Sequence, residues 1–373
     1  MRLTGGKILN SDFVLEERDL YIQNGRLGFS GDDENTLDIS GLTVIPGLID
    51  VHIHGFGGID LTGATAAEVQ RICCELVKCG ITSFAATTLT TDTEIMRNSL
   101  ETLGSAVEKG TSGAEIVGIN MEGPFISPER HGAMDKKHFL PFDERVLDEF
   151  IFRSKNNIKI MTIAPEIKAN FDGISLIRER GIVASIGHTN ASSDTVAAAI
   201  NEGATHATHL FNAMSPLGHR EPGAVGALLD SDVTVELICD GKHIDSRVIR
   251  LVYNLVGRER LCIISDDVST AGMPDGEYEI QGQRVVIKDG TCTLLNGTLY
   301  GNVNSLFECV RRSVKSFGIP FEDAVYCACA VPSRILGIAD KKGRIDEGMD
   351  ADLVIINDDF EIKYVIKNGR IAD

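Results

Sequence analysis

The residues best suited to chemistry are histidines and carboxylates at the carboxyl ends of apolar runs: His52 and His54, then Glu122, His188, His209, Asp240 with His243 just beyond, and Asp266. Side chains alternate faces along a strand, so His52 and His54 point the same way and can grip one ion together. A carboxylate such as Glu122 on an apolar strand is costly without a partner, and a metal is one such partner. Neutral imidazole combined with carboxylate suits zinc, iron(II) or manganese(II) better than calcium or magnesium. Each residue taken singly has an ordinary alternative. His52 and His54 could line a barrel, Glu122 could cap a helix or sit in a rim ion pair, His188 and Asp266 could cap helices, and His209 could be a core histidine. Jointly these explanations are poor, because separate accidents would have to place ligand-type residues on one rim.

The runs that must position these groups are strand-like and number eight: residues 43–54, 81–89, 116–123, 158–166, 182–188, 205–210, 233–241 and 261–267. Most are separated by helix-patterned segments such as ATAAEVQRICCELVKCG and ASSDTVAAAINEG, where apolar residues recur at three and four positions. This α/β alternation predicts a TIM-type (β/α)8 barrel, which places its active site at the carboxyl ends of the strands. A doubly wound open sheet is the competing architecture, but no Gly-rich dinucleotide turn supports it. Short alternating runs with Gly, Asn and Asp turns occupy both ends of the chain. They predict a small β-sandwich domain formed by residues 1–44 and 340–373, with the barrel over 45–339 and a β-hairpin inserted near 275–300.

With 373 residues, the chain can bury a sizeable core without disulfide staples. Its nine cysteines, including Cys73-Cys74 and Cys327-x-Cys329, lack paired CxxC spacing and are expected to be reduced and mostly buried. No apolar run approaches the roughly 20 residues that span a bilayer. The start, MRLTGGKILN, has no basic segment leading into an apolar one, so a cytoplasmic location is expected. A net charge of −18 disfavours nucleic acid and requires a local cationic pocket for any anionic substrate.

From PGLIDVHIHG through NMEGPFISPERHGAM, Ala164-Pro165-Glu166, IGHTNA, ATHLFNAMSPLGHREPG, CDGKHID, ISDD and DGTLYGN, the chain resembles the N-acetylglucosamine-6-phosphate deacetylases of the amidohydrolase superfamily over almost its full length. The resemblance implies that Glu122, His188 and His209 hold a principal divalent metal, zinc or iron. Members that retain the His-x-His pair bind a second ion there, so two ions with Glu122 bridging are expected. The fourth run ends in Ala-Pro-Glu, without the carboxylated lysine of many superfamily relatives.

The same resemblance makes Asp266 the general base and acid, and His131 a group that steadies charge on the carbonyl oxygen. Asp267 stands where relatives carry a small residue. Arg220 and His243, with backbone N–H groups of Asn212 and Ala213, would bind a phosphorylated N-acetyl amino sugar, in a homodimer whose partner subunit can complete the phosphate site. A solvated loop for His131 and a surface ion pair with Glu221 for Arg220 are the ordinary alternatives. The implied reaction is hydrolysis of N-acetyl-D-glucosamine 6-phosphate to D-glucosamine 6-phosphate and acetate, in amino-sugar catabolism. The galactosamine epimer is the nearest competing substrate, since the segment Gly301-Asn302-Val303-Asn304-Ser305-Leu306 departs from the family's usual residues. An N-acyl amino acid hydrolase and a non-catalytic barrel scaffold are more distant alternatives.

Overall fold

A computed structural model describes residues 1–31, 35–280 and 282–372. Eight parallel strands form the central sheet in sequential order: β1 (Leu48–Ile53), β2 (Ile81–Leu89), β3 (Glu115–Glu122), β4 (Ile158–Ile163), β5 (Val183–Ile186), β6 (His206–Ala207), β7 (Thr234–Ile238) and β8 (Leu261–Ile264). Backbone bonds close this sheet into a barrel between its first and last strands. Asp266 N–H donates to His52 O at 2.9 Å, and His54 N–H donates to Asp267 O at 2.8 Å. The closing seam therefore runs through the residues singled out for chemistry.

Helices cover the barrel, and their apolar faces explain why. In α1 (Ala66–Lys78), Val69, Ile72, Cys73, Leu76 and Val77 are buried, and a capping box between Thr65 and Glu68 satisfies its first turn. Strand faces such as Phe84, Ala86, Met161, Ile163, Val235 and Leu237 join the same core as these helical residues. At full burial each large apolar side chain contributes about 1.5–3 kcal/mol.

One expected strand is two. Residues 43–54 divide at Gly47: Thr43–Pro46 pairs with Lys7–Leu9 and Leu353–Ile356 in a terminal sheet, while β1 enters the barrel. A Cβ on Gly47 would lie 2.2 Å from Thr82 Oγ1, so the crossing point admits only a glycine without rearrangement. Further along β1, three steps (Asp50 to Ile53) oppose two on β2 (Phe84 to Ala86). This extra residue is a bulge that lets Ile49 and Val51 pack with Ile160, Ile238 and Ile264 while His52 and His54 both turn to the site.

The two ends of the chain build a β-sandwich, a four-stranded sheet facing a six-stranded one. Its core combines Leu3, Leu20, Ile22 and Leu27 with Ile8, Val44, Leu353, Ile355 and Ile366. The segment expected as a hairpin is instead a four-stranded antiparallel sheet of Gly276–Ile280, Gln283–Lys288, Thr291–Leu294 and Leu299–Gly301. Two strands alone bury too little to be stable, whereas four enclose Val268, Ile280, Val285, Ile287 and Cys292. All nine cysteines are free, with Cys74 and Cys79 partly exposed and the others buried. No helix among the described residues is long and apolar enough to cross a membrane.

Candidate metal centre and active site

Glu122 is the last residue of β3, and the site is built around its carboxylate. Its Oε1 lies 2.8 Å from His188 Nε2 and 2.8 Å from His209 Nε2, which are themselves 3.1 Å apart. Oε2 is 3.2 Å from His54 Nε2. On the other side, His52 Nε2 and His54 Nε2 are 3.1 Å apart and lie 3.4 and 3.3 Å from Asp266 Oδ1. All six residues are buried. Three of them, His188, His209 and Asp266, adopt positive φ angles of 45°, 27° and 55° just beyond the ends of β5, β6 and β8. Such backbone is strained for residues with side chains and persists where the surroundings hold it. Here it turns three side chains inward from strands that have just ended.

Carboxylates and imidazoles dominate the electrostatics. Burial opposes protonation of His54, but Glu122 and Asp266 outweigh it and raise its pKa to about 10. Burial likewise opposes protonation of His52, which Glu236, Asp266 and Glu122 nevertheless raise to about 9. Burial works against ionising Glu122 too, yet His188 and His54 hold it well below its ordinary value. The pocket is thus arranged to stabilise positive charge among its nitrogens. Two triplets, His52 with Glu122 and His209, and His52 with His54 and Asp266, each offer one ligand atom within 4.8 Å of the others and could hold a metal ion. This mixture of nitrogen and oxygen donors fits a divalent transition metal.

Of the neighbouring aspartates, Asp266 faces the histidines. Asp267 has no exposed surface, and neither of its carboxylate oxygens meets a hydrogen-bond donor among the described residues. Burial and the nearby Asp50 push its pKa well above the ordinary value. Asp50 is itself raised to about 7 by burial, which hydrogen bonds from Ser265 and His52 only partly offset.

The remaining expected residues occupy the rim. His131 is exposed on the loop after β3 and pairs through Nδ1 with Met134 O at 3.0 Å. That loop reaches the histidine and carboxylate cluster through its backbone: His188 Nδ1–H donates to Arg130 O at 2.8 Å, and a Cβ on Gly132 would sit 3.1 Å from His188 Cε1. His243 is held by Asp240 Oδ2 at 2.8 Å from its Nδ1. Burial lowers the His243 pKa less than Asp240 raises it, so the net shift is upward. Asn212 N–H donates to His209 O at 3.0 Å, closing the turn after β6. Ala213, at φ 50°, belongs to the same turn. Arg220 is exposed and forms no ion pair with Glu221 or any other described residue.

Two buried residues escaped the sequence reading. Glu236, in the middle of β7, bridges His52 and His206. Its signal was present in TVELI, where a lone carboxylate interrupts an apolar strand as Glu122 does. His206 was overshadowed by His209, three positions later.

A (β/α)8 barrel with histidines and carboxylates gathered at its carboxyl rim defines a class, and the chain belongs to the amidohydrolase family, matched over residues 43–372. It is similar to the N-acetylglucosamine-6-phosphate deacetylase of Bacillus subtilis, at 38% identity over 88% of this chain and 84% of the relative. Among solved structures, the Pasteurella multocida deacetylase of that name superposes with a TM-score of 0.94 at 29% identity, covering 100% and 99% of the two chains. A Mycobacterium smegmatis deacetylase, solved as an aspartate-to-alanine variant in complex with N-acetyl-D-glucosamine 6-phosphate, has a TM-score of 0.92 at 31% identity, covering 100% and 99%. In sequence and fold, the chain therefore groups with the N-acetylglucosamine-6-phosphate deacetylases.

Proposed function

We propose that the protein hydrolyses N-acetyl-D-glucosamine 6-phosphate to D-glucosamine 6-phosphate and acetate. The observation that carries this reading is the meeting of four imidazole Nε2 atoms with the Glu122 and Asp266 carboxylates at one end of the barrel. The sugar phosphate held by the similar Mycobacterium smegmatis protein supports the choice of substrate. Two zinc or iron ions suit these donors: Glu122, His188 and His209 for one, His52 and His54 for the other, with Glu122 shared between them. Such an ion, when bound, acidifies water and polarises the amide carbonyl.

Asp266 takes the proton as the water oxygen bonds to the acyl carbon, and returns it to the sugar nitrogen as the C–N bond breaks. His131 steadies the charge that develops on the carbonyl oxygen. Arg220 and His243, with the backbone N–H groups of Asn212 and Ala213, bind the phosphosugar. The working unit is a cytoplasmic homodimer, in which the exposed Arg220 is available to the phosphate site of either subunit. Its acidity, −18 overall, argues against a nucleic-acid partner.

Metal content per chain, measured beside turnover of the gluco and galacto 6-phosphates and of unphosphorylated N-acetylglucosamine, tests the proposal. At least one transition metal, gluco preference and slow turnover without phosphate are expected. Equal or better turnover of the galacto epimer would overturn the gluco assignment. A metal-free chain without amidase activity would favour a non-catalytic scaffold.

A further inference from the structure

Glu236 lies wholly inside the barrel, where an ionised carboxylate survives only if its oxygens are well partnered. Its Oε2 accepts from His52 Nδ1–H at 2.9 Å and from the backbone N–H of His209 at 3.0 Å. Its Oε1 accepts from His206 Nε2–H at 3.0 Å. Behind it, His206 Nδ1 is 2.7 Å from the Thr234 hydroxyl. One carboxylate thus grips two candidate ligands from different strands.

We propose that Glu236, backed by His206, is a positioning residue that sets the tautomer of His52 and the backbone turn of His209, and so couples the two ion positions. The inference rests on the metal-hydrolase reading above. A carboxylate at His52 Nδ1 keeps the proton on that nitrogen and leaves the Nε2 lone pair directed at the site. The other imidazoles show how selective this is. His188 is oriented by the Arg130 carbonyl, whereas His54 Nδ1 and His209 Nδ1 are buried without a hydrogen-bond partner among the described residues. His209, whose Nδ1 has no such partner to orient the ring, is held through its main chain, at the point where φ is 27°. Glu236 supplies that anchor too. A loss at Glu236 therefore disturbs one ligand of each proposed ion.

The test is Glu236→Gln in the full-length protein, a substitution of equal size that removes the charge. Metal affinity is measured by competition with a chelator, alongside the electronic spectrum of the cobalt(II)-loaded protein and the kinetics. Expected results are a 10- to 100-fold weaker metal affinity, on the scale known for outer-shell partners of metal ligands, and an altered cobalt spectrum. The kcat should fall while KM for the phosphosugar holds, and Glu236→Asp should restore part of the affinity. A purely structural role would change thermal stability without moving affinity or spectrum. Unchanged affinity and spectrum in Glu236→Gln would overturn the proposal. If that variant does not fold, His206→Gln reads the same property: a several-fold weaker affinity supports the proposal, and wild-type affinity refutes it. A wild-type chain that takes up no metal and deacetylates nothing would sink the proposed function as well, whereas wild-type uptake shared fully by the variant sinks this inference alone.

Discussion

Glu122 touches His54, His188 and His209, a contact set that spans the pocket. Replacing it by glutamine keeps the shape but supplies a neutral donor and acceptor where an anion stood. Glu122→Gln should lose metal and activity together, read by metal analysis and deacetylase assay; full retention of both would refute a bridging role. Asp267 poses the opposite problem, since its buried carboxylate finds no donor among the described residues. Its pKa is raised on folding by burial and by Asp50, so the folded state binds a proton more readily than the unfolded chain. What Asp267 contributes to stability is therefore most favourable at low pH and becomes less so as pH rises above its unfolded value of about 4. Asp267→Asn should stabilise the protein by about 1–3 kcal/mol at neutral pH and less near pH 4, measured by melting across pH. Equal melting curves for both proteins at every pH would contradict this account.

At the scale of elements, position is set where strands stop and chains cross. Short β5 and β6 end at Ile186 and Ala207, and the turns beyond them carry His188 and His209. Such endings were hard to read from sequence, because the apolar runs continue past the last ladder bond. The division of residues 43–54 was equally hidden: hydrophobicity is continuous through Gly47, and only its approach to Thr82 reveals the boundary. Gly47→Ala should cost about 1–3 kcal/mol by overpacking this crossing. Chemical denaturation would show it as a lower midpoint with an unchanged slope; an unaltered midpoint would mean that Thr82 yields freely.

Across the whole molecule, the barrel is joined to the terminal sandwich by an ion cluster in which Lys342, Lys367 and Asp352 are buried and Glu115 is partly exposed. Lys342 Nζ lies 2.9 Å from Glu115 Oε2 and 2.5 Å from Asp352 Oδ2, and Lys367 Nζ lies 3.0 and 2.7 Å from the same two oxygens. Burial opposes ionising Asp352, but Lys367 and Lys342 prevail and lower its pKa; Glu115 is lowered for the same reasons. Acids with lowered pKa values stabilise the fold above their unfolded values, about 4, and that stability is lost as pH falls through the folded values. The melting temperature should therefore drop below about pH 4 in the native protein. Asp352→Asn should melt lower at neutral pH and show a shallower acid decline; parallel acid limbs would exclude this cluster as their cause.

The sequence by itself determined the periodic elements, the two-ended sheet and the ligand-type residues at the rim, because these depend on local side-chain spacing and on the cost of placing charge on apolar strands. It also singled out Asp266 over the adjacent Asp267 by its place at the strand end, although side-chain pattern alone did not show which of the two turned inward. Tertiary structure alone decided that Asp266 meets His52 and His54, that Asn212 N–H closes the turn after β6, and that Glu236 ties His52 to His209. These facts join residues from strands far apart in sequence, and they depend on one bulge and three strained backbone turns whose geometry arises only when the barrel closes.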